Sequence, residues 1–434
     1  MPKRRLLHRA RCVVTLDGDP GPRAGVAMSR LSILDHASVA VDAEGRIAWV
    51  GPGDRVPDQH HDEAEVVDCR GKTLVPALVD PHTHVVWAGD RIDELELRLA
   101  GADYEQIFAR GGGILSSVEA TRRAREDDLY AQTLARVRRM RAAGTTTFEI
   151  KSGYGLDLPT ELRQLRVARR LRAAGFRVKT TCLAAHAIPT EARDTKGGRE
   201  AFIDRVCEEI LPAVAAQRLA EYADVFCDRG AFTPHEARRV LTAAKNLGML
   251  LRVHANELGS TGGAMLAAEL RAVSADHLLY LSDDERWALR NAGVVATLLP
   301  GTSLVLGKGY ADGRALVREG VPVAVATDCN PGSCALENLA MVMGLACYGC
   351  RLSPAEALCA ATHNAAASLH LDGEVGSLVP GKSADMLVLD TDDYRDLVYH
   401  AGSPLIDAVW QAGEQVAAAG TPRGPGLALL PPAP

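Results

Sequence analysis

The sequence predicts an α/β fold, a (β/α)8 TIM-like barrel with a small β-sandwich domain built from both termini. Two observations predict it. Strand-like and helix-like runs alternate through the middle of the chain until eight strands are counted, the pattern of βα units around a parallel sheet. The two ends instead share short apolar runs broken by Gly, Asp and Pro, and chain termini commonly lie close enough to build one domain together. The expected division is 1–74 with 375–434 for the β domain and 75–374 for the barrel.

A length of 434 residues suits one large barrel carrying a smaller domain. With 47% hydrophobic and 24% charged residues, the chain can bury a large core, so disorder is not expected. The net charge of -6 is spread along the chain with no basic domain, which argues against a nucleic-acid partner. No run of about 18 apolar residues is present to span a bilayer. His8, Arg9 and Arg11 interrupt any signal-like stretch, so neither a membrane partner nor secretion is expected. Ten scattered cysteines fit the reduced thiols of a cytoplasmic enzyme better than a disulfide scaffold. Cys347 and Cys350 form a C-x-x-C within an apolar, helix-like run, and without a second pair nearby they read as packed thiols rather than a redox or zinc site.

From Arg5 to about Lys72, the runs Cys12-Val-Val-Thr-Leu16, Ala37-Ser-Val-Ala-Val41 and Arg46-Ile-Ala-Trp-Val50 read as strands, with Asp42-Ala-Glu-Gly45 as a turn. The apolar run Thr73-Leu-Val-Pro-Ala-Leu-Val79 reads as the first barrel strand. It continues into His82 and His84, which share a face if the chain stays extended. A helix from about Asp127 to Ala143 stops at Gly144, and a strand follows at 145–151. Pro159 opens the next helix and Gly175 closes it; further strands begin at Val178, Ala223, Leu250, Ala272, Val294 and Val321. Gly111-Gly-Gly113 forms a turn, equally suited to a flexible loop or a substrate contact. The β texture returns after Gly376, and a loose tail is expected from Gly420.

In such barrels, chemistry collects at the carboxyl ends of the strands. Those ends carry His82 and His84 on the first strand, Lys151 and Tyr154 after the second, and His186 after the third. The fifth carries His254 with Glu257 beyond it, the sixth His277 and the eighth Asp328. A His-x-His pair alone is a weak signal. With His254 and Asp328 added, it becomes a donor set for one divalent metal ion, Zn or Fe, which would make water acidic near neutral pH. Glu257 is placed to shuttle a proton and His277 to orient or polarise, with His277 or Asp328 aiding deprotonation. The plainer alternatives are a helix-capping carboxylate for Glu257 and a core-satisfied ring for His277. The fourth strand ends Phe226-Cys-Asp228 with no lysine to bridge two ions, which favours a single metal. Arg91, just beyond the first strand, is either a bidentate partner for a carboxylate substrate or a solvated loop charge.

His82-Thr-His84, His254-x-x-Glu257, Ser274-Ala-Asp-His277 and Thr327-Asp328 resemble the metal-dependent amidohydrolase superfamily, in the mononuclear branch shared with cytosine deaminase. Longer strings are similar to the imidazolonepropionase family: Gly89-Asp-Arg91, the stretches 94–104 and 111–121, Glu149-Ile-Lys-Ser-Gly-Tyr-Gly-Leu-Asp157, Ala185-His-Ala187, the stretches 207–215 and 225–232, and Asp328-Cys-Asn-Pro-Gly332. The resemblance runs from about Leu74 to Lys382. It implies hydrolysis of 4-imidazolone-5-propanoate to N-formimidoyl-L-glutamate in histidine degradation. It also implies that Arg91 binds the propanoate, that Tyr104, Tyr154, His186 and Glu257 contact the substrate, and that Asn330, Gly332 and Ser333 lie on the product side. Two stretches depart from the family pattern, His254-Ala-Asn-Glu-Leu258 and the loop from Leu299 to Tyr310, which lacks an aromatic cluster. The other readings are a deaminase of a cyclic amidine, separable by ammonia release, and a metal-free binding or assembly relative, separable by metal content. A homodimer is the expected assembly.

Overall fold

The structure is a computed structural model that describes residues 4–101, 112–193 and 195–418; Tyr104, Gly111 and the tail from Gly420 lie outside them. The described residues contain sixteen strands in two eight-stranded sheets. Strands β1 (Arg5–Val14), β2 (Ile33–Val41), β3 (Ile47–Pro52), β4 (Glu65–Asp68) and β5 (Thr73–Pro76) open the chain. The barrel follows with β6 (Leu78–Asp80), β7 (Thr145–Lys151), β8 (Arg177–Ala185), β9 (Tyr222–Cys227), β10 (Leu250–Ala255), β11 (Ser274–His277), β12 (Val295–Leu298) and β13 (Val323–Val325). The chain then returns to the first sheet with β14 (Met386–Leu389), β15 (Ile406–Gln411) and β16 (Glu414–Ala418).

The terminal sheet is mixed and continuous, running β16-β15-β14-β5-β1-β2-β3, with β4 beside β1. Its strands from both ends share one apolar core that includes Leu7, Val13, Val39, Leu74, Met386 and Trp410. At its rim, Arg5 donates to Glu414 at 3.0 Å, joining the two ends of the chain.

The run from Thr73 to Val79 is not one strand. Leu74 and Val75 pair with Val388 and Leu387 in the terminal sheet, whereas the Leu78 N–H donates to the Gly144 carbonyl beside the barrel strand β7. Pro76 has no N–H to extend a ladder, so the chain leaves one sheet here and enters the other within two residues. His82 and His84 therefore lie past the end of β6, and other contacts keep them extended.

All neighbouring pairs from β6 to β13 are parallel, and the strands are buried along almost their whole length. The barrel closes between β6 and β13 through a parallel bridge of Thr83 with Cys329. There, the Asp328 N–H donates to the His82 carbonyl (3.1 Å) and the His84 N–H to the Cys329 carbonyl (3.0 Å). Just before it, the buried Asp80 carboxylate accepts from the Thr327 N–H (3.1 Å) and hydroxyl (2.6 Å).

The helix predicted near Asp127–Ala143 spans Glu126–Ala142, and Asp157 caps the Leu158–Ala173 helix through the Thr160 N–H. Two further helices, Ile92–Leu99 and Ile114–Arg123, were not predicted. The first has apolar residues at Leu95, Leu97 and Leu99, an alternation that mimics a strand. Cys347 lies in the last turn of a helix at Leu339–Tyr348, and both thiols of the C-x-x-C are free.

The Asp42–Gly45 turn packs on the β15–β16 turn so closely that a Cβ on Gly45 (φ +76°) would meet the Ala412 carbonyl oxygen at 2.0 Å. Gly71 has the same φ with nothing within 4 Å. Gly71→Ala should therefore cost about 1–2 kcal/mol from the left-handed backbone alone. Gly45→Ala should cost clearly more, read as a lower denaturation midpoint; equal midpoints would mean the turns are not in register.

Candidate metal centre and catalytic pocket

Barrel closure puts His82, His84 and Asp328 on adjoining segments, and β10 brings His254 from across the barrel. The Nε2 atoms of His82 and His84 are 3.3 Å apart, as are those of His84 and His254. Asp328 Oδ1 lies 3.5 Å from His82 Nε2 and 3.4 Å from His84 Nε2. Donors about 2.0–2.1 Å from a tetrahedral ion sit about 3.3 Å from one another, so the spacing is that of a metal's coordination edges.

The ring tautomers agree. His82 Nδ1 pairs with Asp276 Oδ2 at 2.7 Å, and His254 Nδ1 lies 2.9 Å from Asp224 Oδ2. With their Nδ1 protons facing carboxylates, both rings turn Nε2 lone pairs inward, an arrangement that repels unless a cation sits between them. The His82 and His84 rings differ in their preference for positive charge. Burial and Lys151 push the pKa of His82 down, but Asp276 and Asp328 outweigh them and hold it up at about 9. Burial pushes His84 down to about 3. Burial would raise Asp328, but the neighbouring His82 and His84 rings hold it well below the usual carboxylate range. The Thr302 hydroxyl donates to Asp328 Oδ2 at 2.5 Å and leaves Oδ1 turned toward the histidines.

Glu257 and His277 stand beside this cluster. Asp228 accepts from the N–H groups of Glu257 (2.6 Å) and Leu258 (2.8 Å), fixing the turn that carries the glutamate. Glu257 Oε2 lies 3.7 Å from His277 Nε2, and burial with the nearby Asp328 charge pushes Glu257 up to about 7. Burial also keeps His277 neutral, down at about 3. His277, Asn256 and Asp328 all adopt positive φ (78°, 53° and 53°), backbone strain that a tightly held site can retain.

Among the predicted substrate residues, His186 stacks on His84 (5.1 Å between ring centroids, 19°) and Tyr154 packs against both rings. Arg91 pairs with Glu94 at 2.5 Å and lies against Gly332 so tightly that a Cβ there would meet its Nη1 at 1.8 Å. The Asn330 side chain is spent on its own loop: Oδ1 accepts from the N–H groups of Gly332 and Ser333, and Nδ2 donates to the Asp328 carbonyl and Ser333 Oγ. Tyr104 lies outside the described residues. Lys151 points into the barrel interior, fully buried among carboxylates. Asp224, Asp276 and Thr302 were not identified from sequence. The signal for the first two was an acidic residue inside an otherwise apolar barrel strand.

The amidohydrolase family model matches residues 73–416. The chain belongs to the amidohydrolase family. Within it, the chain is similar to the imidazolonepropionase of Geobacillus thermodenitrificans, at 45% identity over 94% of this chain and 97% of that protein. The imidazolonepropionase of Symbiobacterium thermophilum is likewise 45% identical, over 95% and 96%. Solved structures share the fold at lower identity. An adenosine deaminase from Xanthomonas campestris with bound zinc superposes with a TM-score of 0.69 at 21% identity, covering 95% of this chain and 93% of that one. A triazine hydrolase variant gives 0.72 at 18%, covering 98% and 96%.

If this amidohydrolase site holds a metal, Thr302→Val should weaken binding about 10-fold by freeing the Asp328 carboxylate, read by competition with a chelator. Removing the metal from the unaltered protein should lower its unfolding temperature, since the facing lone pairs are then uncompensated. An unchanged temperature would contradict the assignment.

Proposed function

We propose that this chain hydrolyses 4-imidazolone-5-propanoate to N-formimidoyl-L-glutamate, with one divalent ion, zinc or iron, held by His82, His84, His254 and Asp328. The observation that carries the reading is the end-to-end similarity to imidazolonepropionases at 45% identity, laid over a buried donor set at coordination spacing. A single ion is supported by the fourth strand end, where both Asp228 oxygens are occupied by backbone N–H groups. The ten free cysteines support a cytoplasmic location, and no helix among the described residues is long and apolar enough to cross a membrane.

In this reaction, water adds to the ring carbonyl carbon, the adjacent C–N bond breaks, and both ring nitrogens remain in the product. When bound, the ion supplies Lewis acidity that makes water nucleophilic at neutral pH. Glu257, poised at about 7, takes the proton from water and passes it to the departing nitrogen. The neutral His277 imidazole beside it orients the attacking water. Asp328 stays ionised throughout and serves as ligand and acceptor rather than as the principal base. Arg91 exchanges its bond to Glu94 for the propanoate carboxylate, a bidentate pairing that sets the ring's position, and His186 and Tyr154 flank the ring.

Presenting 4-imidazolone-5-propanoate and following the loss of its ring absorbance tests this directly. Glu257→Gln should lower kcat by about 10²–10⁴-fold, and Arg91→Ala should act mainly by raising KM. A base must be ionised, so activity should fall as pH drops through about 7, and that limb should vanish in Glu257→Gln. Stoichiometric ammonia release would replace the reading with deamination of a cyclic amidine.

A further inference from the structure

Beneath the four proposed ligands, the barrel interior holds five charged side chains, Glu149, Lys151, Asp224, Arg252 and Asp276, none more than 1% exposed. Three carboxylates and two cations leave this layer one net negative charge. Each carboxylate holds a different part of the donor set. Glu149 Oε2 accepts from the Thr83 N–H, between the paired histidines (3.2 Å). Asp276 holds the His82 ring, while Asp224 lies against the His254 ring and accepts its backbone N–H at 3.1 Å. Lys151 Nζ sits among all three, 2.9 Å from Glu149 Oε1, 2.9 Å from Asp224 Oδ2 and 3.9 Å from Asp276 Oδ2. Arg252 reaches only one of them, Asp276 at 3.7 Å, and donates to the Pro81 carbonyl at 2.9 Å.

We infer that Lys151 is a positioning residue for the metal centre, its single ammonium fixing the three carboxylates that orient His82, the Thr83 segment and His254. The inference rests on the metal set proposed above. A carboxylate left without its cation at this depth is strongly unfavourable and draws its neighbours out of place. Here, those neighbours are the acceptors that hold the ligand rings, so the disturbance passes directly to the donor geometry. The ammonium does not touch substrate, and it serves the reaction only through the acids around it.

Zinc affinity of the full-length protein, by competition with a chelator, and the d–d absorption bands of its cobalt-loaded form test this. Lys151→Met should weaken zinc binding by about 10–100-fold and change the cobalt bands. Adding Glu149→Gln restores the charge balance and should recover most of that loss. Gly45→Ala, destabilising but remote, should bind zinc like the parent, which separates loss of stability from loss of ligand orientation. Lys151→Met binding within about threefold of the parent with unchanged bands would overturn the inference, as would a double variant that shows no recovery. If Lys151→Met does not yield folded protein, the double variant decides: zinc binding near that of the parent supports the inference, and failure to fold or to bind overturns it. A parent that binds no metal would refute the metal set itself, a result distinct from an unaffected variant.

Discussion

The closure of the barrel between its first and last strands is the constraint on which the site depends. Both strands are only three residues long, and residues at and just beyond their ends extend the seam: Asp80 bonds to Thr327, His82 to Asp328, and His84 to Cys329. Three of the four proposed ligands are thus also the residues whose backbones close the barrel. Their convergence needs no separate device, and a slip in the seam would lose sheet pairing and donor spacing together.

Around that seam, the charges are arranged from the inside outward. Asp224 and Asp276 face the Nδ1 atoms of two histidines and turn the Nε2 lone pairs toward one point, while Thr302 orients Asp328. The same burial that fixes these groups raises Glu257 and lowers His277, so two neighbouring side chains have opposite protonation preferences near neutral pH. Positive φ at Asn256, His277 and Asp328 belongs to the same economy of space, since their backbones turn sharply to face the pocket.

Much of this was legible because strand ends can be found from hydrophobic period alone, and His82, His84, His254, His277 and Asp328 all sit at or just past them. The carboxylates behind them were not, because an acid within an apolar strand carries no mark of the partner it will meet. The run Thr73–Val79 looked like one strand because its apolar character is continuous. The partners that divide it, Val388 and Leu387 on one side and β7 on the other, lie far away in sequence. The Ile92–Leu99 helix was hidden by its strand-like alternation. The amide of Asn330 also shapes the Asp328–Ser333 loop, a use that its residue type alone does not reveal.

The terminal sheet has a consequence for biosynthesis. β5 acquires its partner β14 only after about 310 further residues are made, and Arg5 of β1 meets a partner 409 positions away. At about 5–20 residues per second, β5 waits roughly 15–60 seconds with an open edge, and the apolar face of these first strands stays exposed meanwhile. During that interval, the nascent chain is a substrate for chaperones and vulnerable to aggregation, and the last strands to emerge are the ones that end the risk.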